Sequence, residues 1–144
     1  MAFIGPRENQ TQMYSNNLDV SSSGNNTQNS ASTNTSDPGA YLINAGYSPS
    51  DQNGNYPNND WDAWAVRCYV NGSQLGSQMR GQEGGIQTYR IAGSHAWFWN
   101  KTNSSNQEIS VRCNSYWGEG DNDGGGMRGF LNVGIFRLGK KLIY

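Results

Sequence analysis

Trp64, Val66, Cys68 and Val70 recur at every second residue, with Ala65, Arg67 and Tyr69 between them. Successive side chains of an extended chain point to opposite sides, so this spacing puts four apolar groups on one face of a strand. A helix would need apolar positions every three to four residues instead. Asn71-Gly72 follows at once. Both residues tolerate the positive φ of a type I′ turn, so the chain is predicted to reverse there and return as a strand over residues 73–80.

The same period governs the rest of the second half. Ile109, Val111, Cys113, Ser115 and Trp117 face one way, and Ser110, Arg112, Asn114 and Tyr116 the other. Over residues 127–138, Leu131, Val133 and Ile135 oppose Phe130, Phe136 and Leu138. Both faces are apolar, which predicts a strand at a sheet centre or in a subunit contact. Shorter strands are expected over residues 40–46, 86–92 and 95–99, with an edge strand at 142–144. Polar or Gly-rich turns fall at 48–59, 81–85, 100–106 and 118–126. Strands at this spacing with turn chemistry between them predict an all-β chain, an antiparallel β-sandwich or jelly-roll-like domain over residues 39–144.

Residues 1–38 read differently. Asn, Ser and Thr dominate from residue 8 onward, and Met13, Tyr14, Leu18, Val20 and Ala31 are isolated among them. Such a segment buries too little to offset its ordering entropy by itself. It is expected to be an extended polar N-terminal arm, either flexible or ordered along a partner, with Leu18 and Val20 spaced to form one short strand.

Composition removes several function classes. The formal net charge is -1, 15% of residues are charged, and the longest basic element is Lys140-Lys141. Counterion release, which dominates nucleic-acid affinity, would therefore be weak, and no nucleic-acid partner is expected. No apolar run reaches the roughly 20 residues of a membrane-spanning helix. The first seven residues are too short and polar for a secretory signal, so the expectation is either synthesis without export or a leader that precedes the given residues.

The candidate chemistry is sparse. Cys68 and Cys113 sit on the Val-bearing faces of their strands, either as small buried hydrophobes or as a disulfide between neighbouring strands. His95, the one histidine, has no nucleophile motif beside it and reads as a packing or surface residue. Glu119 and Asp121 lie in a Gly-flanked loop, a poor frame for two catalytic carboxylates, so no enzyme activity is expected. That loop also offers Asp121, Asn122 and Asp123 as oxygen donors. A solvated loop is the expected state, with a Ca²⁺ site at Asp121 and Asp123 as the alternative and no other cofactor.

Aromatics are the remaining signal. Trp64, Trp97 and Trp99 are expected to be buried core or interface residues. Tyr56, Asn59, Asp60 and Trp61 in one loop, and Trp117, Asp121, Asn122 and Asp123 around another, combine aromatic faces with Asx side chains. Sugar C–H groups pack on such faces while amides and carboxylates bond the hydroxyls, so these residues are the candidate glycan contacts.

The Cys68-Tyr69-Val70-Asn71-Gly72 strand and turn, the Val111-Arg112-Cys113 strand, the Gly-rich loop and the closing strand over residues 130–138 together resemble the small β-rich tips and decoration domains of bacteriophage tail fibres and other virion proteins. The resemblance covers residues 56–138, and the Asn/Ser/Thr-rich arm suits it. It implies a virion protein made in the host cytoplasm, self-associated as a homotrimer or another symmetric assembly, that attaches to a bacterial surface polysaccharide or to a capsid. Two alternatives stand beside that reading. One is a capsid or fibre decoration protein that binds only other virion proteins; the other is a free lectin, Ca²⁺-dependent or not.

Overall fold

The computed structural model describes residues 11–21, 28–48, 62–83, 92–117 and 128–139. They form eight strands: β1 (Thr11–Ser21), β2 (Gln28–Thr35), β3 (Gly39–Ser48), β4 (Asp62–Val70), β5 (Ser73–Glu83), β6 (Gly93–Lys101), β7 (Gln107–Trp117) and β8 (Arg128–Gly139). Two four-stranded sheets result, ordered β1-β8-β3-β6 and β2-β7-β4-β5, with every pairing antiparallel. This order is that of an eight-stranded jelly roll, and it carries the expected all-β sandwich. No helix among the described residues is long and apolar enough to cross a membrane.

The core lies between the sheets. Tyr41, Ile43, Ala45 and Tyr47 of β3 and Leu131, Val133 and Ile135 of β8 meet Trp64, Val66 and Cys68 of β4 and Ile109, Val111 and Cys113 of β7. Each set has the two-residue period that the sequence displays. β8 runs between β1 and β3, so its second apolar row lies on the outer face of an interior strand, where Phe130, Phe136 and Leu138 are half-buried. Trp64 and Trp97 are buried and Trp99 packs against the core.

The polar segment departs from expectation over two stretches. Thr11–Ser21 and Gln28–Thr35, read as parts of an arm, are edge strands that pair with β8 and β7 along their lengths. An edge strand needs little apolar surface of its own, because its neighbour supplies the core and the ladder pairs its backbone groups. β2 shows the arrangement: Ala31 and Thr35 are buried while Ser30, Ser32 and Asn34 are exposed. Met13, Tyr14 and Leu18 of β1 pack against the core.

The two cysteines are buried thiols, and the disulfide alternative fails on register. Cys68 lies opposite Val111 and Cys113 opposite Val66, so the two are diagonal neighbours. Diagonal residues of an antiparallel pair sit roughly 7–8 Å apart, outside the span a disulfide closes.

The connections divide by length. At one end are the turns at 36–38, 71–72 and 102–106. Asn71 and Gly72 both have positive φ (47° and 79°), and Asn71 clasps β7 through Asn71 N to Glu108 O at 2.9 Å and Glu108 N to Asn71 Oδ1 at 2.8 Å. Tyr41 OH donates to Asp37 O at 2.5 Å, and Arg137 Nη2 donates to Pro38 O at 2.7 Å. The strand ends that flank residues 22–27, 49–61, 84–91 and 118–127 all lie at the opposite end. Their anchors are in register there: Asp62 faces both Glu83 and Trp117, Ser21 faces Arg128, Ser48 faces Phe130, and Tyr47 faces Gly93.

Candidate functional site

Of the residues proposed as glycan contacts, Tyr56, Asn59, Asp60, Trp61, Asp121, Asn122 and Asp123 lie outside the described residues, as do the proposed calcium ligands Asp121 and Asp123. The strands predicted at 86–92 and 142–144 also fall outside them, apart from Ala92, which precedes β6. Trp117 ends β7 opposite Asp62, the first residue of β4. The two candidate segments are thus attached at cross-strand neighbours, one entering the sheet at Asp62 and the other leaving it at Trp117.

The described residues form a different recess, on the outer face of the β1-β8-β3-β6 sheet. β3 carries Asn44-Ala45-Gly46 and β8 carries Asn132-Val133-Gly134. The strands run antiparallel with Asn44 opposite Gly134, Ala45 opposite Val133 and Gly46 opposite Asn132. Ala45 and Val133 point into the core, which sends the asparagines and glycines outward. Each carboxamide then lies across the glycine of the other strand. A Cβ on Gly134 would come 2.5 Å from Asn44 Oδ1, and one on Gly46 would come 3.3 Å from Asn132 Oδ1. The glycines are the floor that lets the amides lie down.

β6 completes one side. Ser94 pairs with Gly46, Ala96 with Asn44, and Phe98 with Leu42. Asn44, Ala45, Gly46, Ser94, His95, Ala96 and Asn132 enclose a shallow trough of about 470 Å³. β1 braces the other side, where Asn132 Nδ2 donates to Asn17 Oδ1 at 3.2 Å. One step along the strands, Phe136, Leu42 and Phe98 form an apolar row across the sheet. Phe98 is 70% exposed, the one large hydrophobic so exposed among the described residues. The trough therefore sets flat amide groups beside an aromatic face, which is the chemical mixture that the sequence suggested for the loops.

The His95 side chain belongs to the other side of β6. Its ring meets Trp97 edge-on at 4.8 Å, and Nε2 lies 3.3 Å from Ser77 Oγ. Trp97 Nε1 donates to Ser77 O at 2.7 Å, so the group ties β6 to β5 across the sandwich edge. Among the described residues no three His, Cys, Asp or Glu side chains come together as a metal-binding group. Sequence reasoning missed the trough because the two Asn-x-Gly triplets become neighbours only once the β3–β8 register is known.

No protein-family model and no curated protein sequence matches the chain. Several solved structures are similar in fold. The C-terminal domain of EclA, described as a sugar-binding protein, aligns over 87% of this chain and 80% of its own, with 9% identity and a TM-score of 0.47. The CBM36-1 domain of a multidomain xylanase, from the hindgut metagenome of Trinervitermes trinervoides, covers 87% of this chain and 88% of its own, with 16% identity and a TM-score of 0.36. The VP2 subviral particle of infectious bursal disease virus covers 90% of this chain and 39% of its own, with 7% identity and a TM-score of 0.33.

Proposed function

We propose that the chain is a non-catalytic carbohydrate-binding module, and that the trough on the β1-β8-β3-β6 face receives the glycan. The observation that carries the reading is the pair of carboxamides, Asn44 and Asn132, laid over glycine beside exposed Phe98. A sugar ring presents C–H groups on one side and hydroxyls around its rim. An aromatic face with adjacent amide donors and acceptors matches both. The polar side chains that open onto the trough are two amides and a hydroxyl, groups that bind hydroxyls and have no acid–base role near neutral pH.

Glycan-array binding by the wild-type chain and by Phe98→Ala and Trp61→Ala tests the location. The trough predicts that Phe98→Ala lowers the signal and Trp61→Ala leaves it unchanged. The reverse pattern moves the site to the connection over residues 49–61.

The finer proposal places the module in a virion, as the receptor-binding tip of a phage tail fibre and a homotrimer that attaches to bacterial surface polysaccharide. Jelly rolls serve in both viral capsid proteins and lectins, so the strand order suits that role. Light scattering after size exclusion tests it. A stable trimer supports the tip, and a clean monomer at all concentrations leaves the free lectin as the better reading.

A further inference from the structure

We infer that the outer face of the β2-β7-β4-β5 sheet is a second binding surface, built for an acidic saccharide. The trough lies on the other sheet, and this surface does not rest on it. Val66, Cys68, Met79, Val111 and Cys113 point into the core, so Arg67, Arg80 and Arg112 stand on the outer side. Glu108 is the one acid in register with them, and every other strand position on that face is uncharged. Three of the seven arginines are thus gathered on one sheet, in a chain whose net charge is -1.

Two of the three are cross-strand neighbours. Arg67 on β4 lies directly opposite Arg112 on β7. Like charges so placed repel and weaken a sheet, and an anion seated between them reverses that effect. Both side chains are held in place. Arg67 Nε donates to Gln78 Oε1 at 2.6 Å, and its Nη1 reaches Asn114 Oδ1 at 3.5 Å. Arg112 Nε donates to Ser110 Oγ at 3.2 Å, and its guanidinium carbon lies 4.2 Å from the centre of the Tyr69 ring. These contacts engage Nε and one face of the Arg112 fork, and leave its Nη pair for a carboxylate or sulfate. A fork already fixed by stacking loses less freedom when it binds one.

The surroundings favour a sugar as the carrier of that anion. Ser30 lies opposite Arg112, Ser32 opposite Ser110, and Gln78 and Asn114 flank Arg67. Hydroxyls and amides of this kind bond sugar hydroxyls. A nucleic acid draws its affinity from many phosphate contacts, for which three cations and one acid are a poor match.

Calorimetric titration at low and high salt tests the inference on the wild-type chain, Arg112→Gln and Arg67→Gln, with circular dichroism to check each fold. The acidic probes are tetragalacturonate and a sulfated chondroitin tetrasaccharide. Methyl-esterified tetragalacturonate is the matched neutral probe, and an eight-nucleotide oligothymidylate is the phosphate polyanion. The expected result is binding of at least one acidic saccharide, weakened by salt. Each variant should lose about tenfold in that affinity, the effect of one hydrogen bond to a charged group. Equal binding of tetragalacturonate and its ester overturns the role of charge, and unchanged affinity in both variants overturns the location. Tighter binding of the oligothymidylate makes the face a nucleic-acid surface instead. Failure of both acidic saccharides to bind overturns the inference outright. Neutral-glycan binding on the array is read separately, so this surface and the trough can fail independently.

Discussion

Trp97 Nε1 and the carbonyl of Ser77 meet at 2.7 Å and join the two sheets along one open side of the sandwich. Trp97 belongs to β6 and Ser77 to β5, and no ladder pairs those strands. The contact depends on an irregular stretch of β5. Between the pairs Val66–Met79 and Cys68–Leu75, β5 carries more residues than β4, and Gly76 takes φ +64° there beneath the indole. Trp97→Phe keeps an aromatic ring and removes the donor. It is expected to cost about 1–3 kcal/mol, read as a lower urea midpoint with an unchanged slope.

The trough floor predicts a binding defect with little loss of fold. Gly134→Ala puts a methyl 2.5 Å from Asn44 Oδ1 and 2.9 Å from Phe136 Cε2. Asn44 is exposed and can swing away, so the stability cost should stay within about 1–3 kcal/mol, while the amide leaves its glycine. Glycan affinity should fall as far as in Asn44→Ala. Retained affinity would show that the resting position of Asn44 does not matter.

Phe98→Ala separates recognition from packing. A side chain 70% exposed contributes little to the core, so the change in unfolding free energy should stay within about 0.5 kcal/mol. Loss of glycan binding with an unchanged melting temperature is the expected pair of results.

The Tyr41 hydroxyl is one of the groups that hold the turn at 36–38. Tyr41 OH donates to Asp37 O and lies 2.9 Å from Thr35 Oγ1, which also accepts from Asp37 N at 3.2 Å. Tyr41→Phe leaves that carbonyl without its donor and should destabilise by about 1–3 kcal/mol. Hydrogen exchange should quicken at residues 36–38 ahead of the sheet centres.

Alkaline pH acts through a buried thiol. Burial pushes the Cys68 thiol up to about 12 from an ordinary value near 9. The unfolded chain therefore ionises first as pH rises. This contribution to stability is complete below about pH 9 and is lost between pH 9 and 12. Urea midpoints of wild type and Cys68→Ala should converge across that window, and parallel curves would argue against a buried neutral thiol. Neither cysteine should react with a thiol reagent at pH 8 until the chain unfolds.

β4, β7 and β8 were legible because their inner rows are apolar at strict period two and Asn71-Gly72 fixes the reversal. β3 and β6 were found too, though short by three and four residues, since their ends are polar or glycine. β2, and β1 beyond the short strand expected at Leu18 and Val20, escaped because their stability comes from partners: an Asn/Ser/Thr strand looks like an arm until β8 or β7 lies beside it. The site was less legible than the fold. Aromatic and Asx residues in one loop are visible to the eye, whereas Asn44 and Asn132 have no meaning apart from each other.

The separation of long connections from short turns also gives the domain a near end and a far end. Thr11 starts β1 opposite Arg137, and Gly139 ends β8 opposite Ala40, so both outermost strand ends lie beside the short turns. A stalk, neighbouring subunit or fluorescent fusion joined at either strand end would leave from that side. Surface attachment through a tag there would orient every molecule alike, with the strand ends at Ser21, Ser48, Glu83 and Trp117 directed away from the support.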